Sequence, residues 1–427
     1  MMIDKIVETL HVTGVENWKL IEKKVRSKEL FFIKDILDMN RAKDVTKYEL
    51  TVYKKIEENG TEYLGSSTVL IHPTMSNEEI RKTIESALFA AGFVKNEPYP
   101  LVKSIKKDLR KPSNAFNKTN DVTKAIFSST NSSKSWINSA EVFLNMESIR
   151  ILNSNDLDVA FDHKGLEIEF ITTCKGEREE IELYWNLKTS DLSAENISSK
   201  VSEALSITAD RAIAHPTPKV KDIPVILDEV GTKEFLKYFL EKSSAMRIYE
   251  HMSNAKIGDK IQGEFKGDPI TLYIDPTING SYFSQPFDED GLELRKVKIM
   301  DKGTLVSYWG NTRFSHYLGI KPTGNATNFV VETGQKNLDD LRSGKYIELK
   351  TFSDFQMNAL TGDFAGEIRL GWYCDGKERI PITGGSISGN IKDVLENIEL
   401  SKETIQDGNY FGPRALKIYG AKIAGVA

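Results

Sequence analysis

Three carboxylates stand side by side at Asp288-Glu289-Asp290, and such a cluster could do chemistry in two ways. Its oxygens could bind a hard cation, or two of the groups could act as an acid and a base. Adjacent residues in a turn point apart, however, and Gly291 follows directly. We therefore expect a solvated hairpin turn here, with the cation site as the alternative.

A second candidate is the glycine-rich run from Thr383 to Asn390, which precedes a predicted helix. Backbone amides at the start of a helix can hold a phosphate or a carboxylate. The run lacks the Lys-Ser/Thr ending of a phosphate loop, and no strand–loop–helix dinucleotide unit surrounds it. We expect ordinary helix capping by Asn390, and capture of a peptide carboxylate is the alternative.

Histidines and cysteines are the usual ligands of zinc, and here they are scattered. No two histidines lie three to five residues apart, so no helix presents a histidine pair. The cysteines form no Cys-x-x-Cys pair, and no Gly-x-Ser-x-Gly elbow occurs. A site built from distant residues stays open. The residues concerned are His11, His72, His163, His215, His251, His316, Cys174 and Cys374.

The bulk composition is that of an ordinary soluble protein. The chain has 427 residues, with 40% hydrophobic and 28% charged residues, which is enough for two or three domains. A formal net charge of −5 gives no general attraction to nucleic acid. There is no apolar run that could span a bilayer, no secretory signal and no disulfide framework. We expect a cytoplasmic protein without nucleic-acid or membrane partners.

Two stretches repeat a hairpin followed by a capped amphipathic helix. In the first, residues 48–71 form two strands and Ser76 caps the helix, with Glu79 completing a capping box. In the second, residues 157–170 form two strands around a predicted turn at 162–165, and Ser193 caps the helix. We interpret this as a candidate internal duplication, with chance as the alternative. At one constant offset, the apolar stripes pair Ile80/Ile197, Ile84/Val201, Ala87/Ala204 and Leu88/Leu205.

Two composition changes divide the chain. Lys, Asn, Ser and Thr dominate residues 104–139, which predicts a flexible connection. At His215-Pro216-Thr217-Pro218, two prolines forbid a continuing helix. We predict an α+β fold: an N-terminal domain of hairpin-plus-helix units at residues 1–218, and a largely antiparallel β-rich C-terminal domain at 219–427.

The predicted C-terminal domain alternates short helices with strands. Thr232 opens a helix, and Asn311 caps another that Gly319 ends. Asp301-Lys302-Gly303 and Asp375-Gly376 mark hairpins. Further predictions are a helix over 391–400 and a closing strand over 416–426.

Several blocks between Ser284 and Leu400 resemble, in order, the TldD/PmbA family, whose members are often labelled modulators of DNA gyrase. The blocks are Ser284–Gly291, Thr323–Ala326, Thr361–Phe364, Gly371-Trp372, Asp375–Lys377 and Ile387–Asp393. The resemblance implies a cytoplasmic metallopeptidase system that cuts extended, unfolded or small peptides. In TldD-type members, a His-Glu-x-x-x-His helix and a later cysteine bind zinc. Here the corresponding helix, Glu234–Ser244, has no histidine, and no cysteine follows Cys374.

The resemblance therefore implies the PmbA or TldE branch, with no catalytic residue, metal or cofactor in this chain and zinc only in a TldD-like partner. Expected partners are that subunit, or a second copy of this chain in a dimer, and a peptide substrate. Whether the chain is itself an enzyme stays open. A peptide could pair with its backbone along a groove. Candidate groove residues are three turns: Thr323, Gly324 and Asn325; Thr361, Gly362 and Asp363; Ser388, Gly389 and Asn390.

Two alternatives come from other functional classes. The chain could be a stand-alone homodimeric peptide-binding or scaffold protein without hydrolytic activity. It could also be an independent hydrolase whose site is assembled from distant residues. A role directed at gyrase has no support in the residues, because the net charge is negative.

Overall fold

The computed structural model describes residues 2–111, 113–129, 134–176 and 179–426. The described residues up to Ala212 are called the N-terminal lobe, and those from His215 onward the C-terminal lobe. The N-terminal lobe contains α1 (Met2–Val12), β1 (Asn17–Ile33), β2 (Ile36–Glu58), β3 (Thr61–Ile71), α2 (Asn77–Ala91), β4 (Lys106–Asp108), α3 (Thr119–Ser128), β5 (Ser135–Asn153), β6 (Asp158–Lys175), β7 (Glu180–Thr189) and α4 (Ala194–Ala212).

The C-terminal lobe is richer in short strands. Its elements are β8 (His215–Pro216), β9 (Val225–Asp228), α5 (Val230–Lys242), α6 (Ala245–Tyr249), β10 (Leu272–Ile274), β11 (Val297–Asp301), β12 (Thr304–Leu305), α7 (Thr312–Tyr317), β13 (Phe329–Val331), α8 (Leu338–Leu341), β14 (Tyr346–Met357), β15 (Asp363–Cys374), β16 (Arg379–Thr383), β17 (Ser386–Asn390), α9 (Ile391–Val394), β18 (Glu399–Leu400), β19 (Thr404–Asp407), β20 (Tyr410–Pro413), β21 (Ala415–Ile418) and β22 (Lys422–Ala424).

The N-terminal lobe is built around an antiparallel pair, β1 and β5, at the centre of one sheet. On one side β2 and β3 follow in order, and on the other side β6 and β7 do, with the short β4 also on β6. Each half therefore runs helix–strand–strand–strand–helix. Two similar halves meet at β1 and β5, as expected of a duplicated unit.

The helices of the two halves bury the apolar stripes that the sequence predicted. Ile80 and Ile84 of α2 are fully buried, and so are Ile197 and Val201 of α4. The capping box of Ser76 and Glu79 at the start of α2 is also confirmed. Each half thus has its own apolar core beneath its helices.

The predicted turn at 162–165 is wrong. Those residues continue strand β6, where Asp162 pairs with Ser148 and Gly165 with Asn145 of β5. Gly165 instead allows the ring of Tyr282, in the C-terminal lobe, to approach the strand closely. A Cβ at this position would lie 2.1 Å from Cε2 of Tyr282. The hairpin that does form joins β5 and β6 at residues 154–157.

Strands β1 and β2 are longer than the hydrophobic pattern indicated. Charged residues occupy much of both strands, so alternation in sequence is weak there. Strand β3 pairs with β2 only from Tyr48 onward, and β1 covers the other side. Among the described strands, none pairs with the outer edge of residues 36–47, where Ile36, Leu37 and Met39 are exposed.

Two sheets and helix α5 share one apolar core in the C-terminal lobe. The six-stranded sheet has the order β12-β11-β10-β13-β20-β19. The main path of the nine-stranded sheet is β18-β21-β9-β14-β15-β16-β8, and β17 joins it through β15 and then pairs with β22. Most pairs are antiparallel. The predicted α+β class and largely antiparallel C-terminal part are therefore confirmed.

Several predicted element ends need correction. Helix α5 begins at Val230, two residues before Thr232, and α9 ends at Val394, after which a 3₁₀ turn replaces the predicted helix to 400. The predicted closing strand over 416–426 is two strands, β21 and β22, separated by Gly420 with φ of 90°. The hairpins at 301–303 and 375–376 and the Asn311 cap are present.

Residues 104–139, predicted as a flexible connection, contain β4, α3 and the start of β5 in their described part. Residues 112 and 130–133 of this stretch lie outside the described residues. Val122 and Ile126 of α3 are fully buried. Mobility of this stretch and the division into domains after residue 218 stay predictions. Within the described residues, no helix is long and apolar enough to cross a membrane.

Candidate functional site

Helix α5 corresponds to the helix on which the resemblance places a zinc motif. It follows strand β9 directly and buries Phe235 and Phe239 in the core of the C-terminal lobe. Its two glutamates are engaged: Glu234 Oε2 lies 3.6 Å from Lys237 Nζ, and Glu241 Oε2 lies 2.6 Å from Arg247 Nε. The carboxylates of α5 therefore form ion pairs with nearby basic side chains.

Lys242, the last residue of α5, is a buried residue whose ammonium has no carboxylate partner among the described residues. The residue is 8% exposed, and its Nζ lies 5.7 Å from the centre of the Tyr238 ring. No hydrogen bond or ion pair joins its ammonium to another described residue. Burial first, and then the positive charge of Lys392, lower the pKa of Lys242. This part of the helix therefore disfavours additional positive charge.

Two of the three predicted groove turns come together. Strands β15 and β17 pair Asp363 with Asn390, and Asn390 Nδ2 donates to Thr361 O at 3.1 Å and to Asp363 Oδ1 at 2.8 Å. The Asn390 bond lowers the pKa of Asp363. Gly362 has φ of 84°, and a Cβ there would lie 2.7 Å from Ile391. The turns 361–363 and 388–390 thus form one tightly fitted unit.

This unit lies next to α5. Phe364, the residue after Asp363, contacts Phe235 of α5 with ring centres 5.8 Å apart. Gly389 allows the same ring to pass, because a Cβ there would lie 2.6 Å from Phe364 Cζ. Backbone of the two turns is therefore fixed against the helix through one aromatic side chain.

The third predicted turn, Thr323-Gly324-Asn325, belongs to another part of the lobe. Gly324 bridges to Gly310, and Asn325 Nδ2 lies 3.4 Å from Glu289 Oε1. A Cβ at Gly324 would lie 3.1 Å from Asp288 Oδ2. The described contacts of this turn thus go to Gly310 and to the acidic loop at 288–290, and none goes to the other two turns.

Asp288 is buried, so the prediction of a fully solvated turn is wrong. It is 1% exposed because the neighbouring Phe287 inserts into an apolar cluster with Phe161 and Leu157 of the N-terminal lobe. Asp288 Oδ1 accepts from the amides of Asp290 and Leu292, at 2.9 and 3.0 Å.

The second oxygen of Asp288 has no hydrogen-bond partner among the described residues. Burial, and then the charge of Asp290, raise the pKa of Asp288 to about 7. Asp290 itself is 2.7 Å from Lys19 Nζ of the N-terminal lobe. Asp288 is thus a carboxyl group that can hold a proton near neutral pH.

Comparison with known proteins agrees with the blocks in the sequence. Residues 220–425 match the PmbA/TldA metallopeptidase C-terminal domain. The C-terminal part of the chain is therefore a TldD/PmbA family domain. It is similar to the zinc metalloprotease TldD homolog of Saccharolobus solfataricus, with 28% identity over 208 residues, 43% of this chain and 44% of that protein. It is also similar to the metalloprotease PmbA of Escherichia coli O157:H7, with 23% identity over 174 residues, 39% of this chain and 38% of that protein.

A solved structure extends the likeness in fold to both lobes. The structure of TldE from Thermococcus kodakarensis superposes with a TM-score of 0.79 and 18% identity, over 99% of this chain and 100% of that one. At that identity the likeness concerns the fold alone. In sequence, the matched stretches span about a third to a half of the length of the curated relatives.

For a TldD/PmbA protein, the decisive question is whether α5 offers zinc donors. In the described parts of the chain, no group of three or more His, Cys, Asp or Glu residues could hold a metal ion. On α5, the glutamates are in ion pairs and Lys242 adds positive charge. Zinc in proteins is bound by neutral histidine, thiolate and carboxylate groups. The residues on α5 do not fit this ion.

The sequence analysis missed a cluster of charges that joins the two lobes. Lys350 of β14 is 4% exposed, and its Nζ contacts Asp228 Oδ2 at 2.9 Å, Glu229 Oε2 at 2.9 Å and Glu203 Oε1 at 3.0 Å. Arg414 contacts the same three residues at 3.4, 3.2 and 2.7 Å. Glu203 lies on α4, so it contributes the charge of the N-terminal lobe. A signal was present, since a lysine inside an apolar strand needs a buried partner.

Opposite effects set the pKa values in this cluster. Burial lowers the pKa of Lys350, but the carboxylates outweigh it and the pKa is raised. Burial would raise the pKa of Glu203, but Lys350 and Arg414 lower it to about 2. Burial raises the pKa of Glu229, whose φ of 41° is uncommon for a residue other than glycine. The cluster therefore holds three acidic groups against two basic ones.

Proposed function

We propose that this chain is a metal-free, PmbA/TldE-like subunit of a TldD-type metallopeptidase system that degrades or processes extended or unfolded peptides. One observation carries the proposal: within a C-terminal domain of this family, α5 ends in a buried lysine and offers no free zinc donor. A catalytic zinc would be supplied by a TldD-like partner. A cytoplasmic location belongs to the same proposal.

The peptide contacts in this proposal are made by the joined turns at 361–363 and 388–390. They lie beside α5, and their glycines allow Ile391 and Phe364 to pack closely against the turn backbone. Recognition through backbone pairing would give little preference for side chains, which suits a system that handles many peptides. The turn at 323–325 would contact a peptide separately, together with the loop at 288–290.

A surface for the partner is proposed at the outer edge of β2. Residues 36–47 leave one side of the strand unpaired within the described sheet, and Ile36, Leu37 and Met39 are exposed beside it. Open strand edges of this kind favour pairing with another chain. This surface serves the leading proposal and also the alternative, a homodimeric peptide-binding or scaffold protein without hydrolytic activity.

The test is co-expression of this chain with the TldD-like chain of its own host. We expect a complex that contains zinc and cuts an unfolded peptide such as casein. The isolated chain should contain no stoichiometric zinc and should not cut casein. Zinc is measured by mass spectrometry of the metal in each sample, and cleavage by release of peptides.

A variant in the partner separates the proposal from its alternatives. Replacing the zinc-binding histidines of the TldD-like chain should abolish cleavage while the complex still forms. Cleavage by the isolated chain that survives chelation would instead indicate an independent hydrolase. A stable homodimer that never binds the TldD-like chain would establish the scaffold alternative.

A further inference from the structure

A cavity of about 390 Å³ opens where the two lobes meet, beside the charge cluster of Lys350. Helix α4 forms one side, and Glu229 with the β19–β20 hairpin forms another. Phe170, Trp185 and Leu187 of the N-terminal sheet provide an apolar wall. The volume lies in the lower part of the range of small-molecule sites.

Glu203 places a permanent negative charge in this cavity. Without it the cluster is balanced, since Asp228 and Glu229 face Lys350 and Arg414. Both of these cations contact Oε1 of Glu203, at 3.0 and 2.7 Å. Oε2 accepts no hydrogen bond from a described residue, and the side chain is 30% exposed. One carboxylate oxygen is therefore available to a ligand.

Lys200 places a positive charge in the same cavity, near enough to Glu203 and Glu229 that its charge lowers the pKa of both carboxyl groups. It lies three residues before Glu203 on α4, so both side chains project from one face of the helix. No ion pair, hydrogen bond or ring contact joins its ammonium to a described residue, Glu203 included. The cavity thus presents one available charge of each sign next to an apolar wall.

We propose that this cavity binds a free amino acid or dipeptide with an apolar side chain. The ligand's ammonium group contacts Oε2 of Glu203, its carboxylate contacts Lys200, and its side chain packs against Trp185 and Leu187. A simple anion would be repelled by the carboxylate of Glu203, and an inorganic cation would be repelled by the ammonium of Lys200. A ligand that carries both charges satisfies both groups at once.

This inference goes beyond the proposed function, because the cavity is separate from the turns at 361–363, 388–390 and 323–325. Its test needs neither a partner nor peptide cleavage. Failure of one proposal therefore leaves the other unaffected.

The experiment is titration calorimetry of the full chain with L-leucine and with leucyl-leucine. N-acetyl-leucinamide, which has the same side chain and neither charge, is the matched ligand control. We expect at least one of the two charged ligands to bind, and the uncharged analogue to bind about tenfold more weakly or worse. The fluorescence of Trp185 should change on binding, and the change should be lost in Trp185→Phe.

Lys200→Met is the deciding variant, because the ammonium of Lys200 makes no contact that the fold needs. It should weaken binding about tenfold or more. Lys200→Gln, which is also uncharged, is a second variant and should have the same effect. Lys237→Met, which removes an exposed lysine of α5, is the control and should bind as wild type.

Three results would overturn the proposal. The first is no heat of binding for either ligand up to about 10 mM, a concentration that would reveal even weak affinity. The second is equal binding of N-acetyl-leucinamide. The third is an affinity that Lys200→Met leaves unchanged or that Lys237→Met weakens equally.

Discussion

Asp288 shows how burial changes the role of one carboxyl group. The same residue in a solvated turn would be ionised at neutral pH, but here burial, and then the charge of Asp290, penalise the ionised form and raise the pKa. No described residue donates a hydrogen bond to Oδ2. The folded state keeps the proton up to about pH 7, whereas the unfolded state releases it near 3.8. The folded state therefore binds more protons between these values, and stability falls as the pH rises through this window.

Asp288→Asn should remove this dependence. Asn keeps an acceptor for the amides of Asp290 and Leu292 but cannot ionise. At about pH 8 we expect the variant to be more stable by on the order of 2–4 kcal/mol, and near pH 4 to equal wild type. Urea unfolding at the two pH values measures this difference.

Glu289→Gln is the control for that measurement, because Glu289 is exposed in the same loop. It should leave the slope of stability against pH unchanged. A wild-type stability that stays constant between pH 4 and 7 would show that Asp288 ionises normally in the folded protein.

Residues 162–165, which the sequence predicted to be a turn, lie in strand β6 and contact the C-terminal lobe. Asp162 to Gly165 has the composition of a turn, and only pairing with β5 on one side shows otherwise. Gly165 makes room for the ring of Tyr282, which is distant in sequence. Signals of this kind depend on a partner that sequence patterns within a short window do not reveal.

Gly165→Ala should weaken the joint between the lobes. The added methyl group would lie 2.1 Å from the Tyr282 ring, so the ring has to move. We expect a loss of about 1–3 kcal/mol in the free energy of unfolding, which is typical of overpacking. Chemical denaturation of the variant and of wild type measures it.

A double-mutant cycle with Tyr282→Ala identifies the cause. Once the ring is absent, Gly165→Ala should cost much less than it does in wild type. An equal cost in both backgrounds would mean that the glycine is needed for the strand itself and not for the approach of Tyr282.

Local chemistry predicted local features well. Capping at Ser76, Asn311 and Asn390, the hairpins at 301–303 and 375–376 and the buried helix stripes follow from residues close in sequence. The predicted cap at Ser193 is an exception, because its side chain makes no capping hydrogen bond at the start of α4. The long charged strands β1 and β2, burial of Asp288 and the cluster of Lys350 do not. Each of these depends on residues that only the complete fold brings together.

The predicted groove illustrates the same division. Both turns that join, 361–363 and 388–390, belong to strands β15 and β17, which pair directly. The third lies in a different region because its neighbours are Gly310 and the loop at 288–290. Motif order in the sequence identified the family but could not show which motifs meet.

Across the whole molecule, the lobes are joined by the charge cluster and by apolar contacts. Lys350 is the central cation, and Glu203 is its only carboxylate partner from the N-terminal lobe among the described residues. Removing a buried cation leaves its partners uncompensated, which costs more than removing a peripheral, half-exposed carboxylate.

Lys350→Met should therefore be the more damaging of two changes. We expect a loss of about 3–5 kcal/mol for Lys350→Met, because Asp228 and Glu229 remain buried with one cation fewer. For Glu203→Gln we expect about 1 kcal/mol, because the remaining four groups are balanced and the site is partly exposed. Denaturant unfolding of both variants gives the ranking.

Proteolysis adds a second readout for the joint between lobes. Loss of the Glu203 contact should speed cleavage between α4 and β9, whereas the C-terminal lobe should stay intact. If Glu203→Gln were as destabilising as Lys350→Met, the carboxylate of α4 would be central to the cluster and not peripheral.

The antiparallel contact of β1 with β5 has a consequence for how such a chain could arise. The first strand of each half, β1 or β5, pairs on one side with the next strand of its own half. Its other side pairs with the first strand of the other half. Two copies of an ancestral half could have associated through that strand as separate molecules. Fusion into one polypeptide would then fix their stoichiometry and allow each copy to diverge, so that only the second now supplies Glu203 and Lys200.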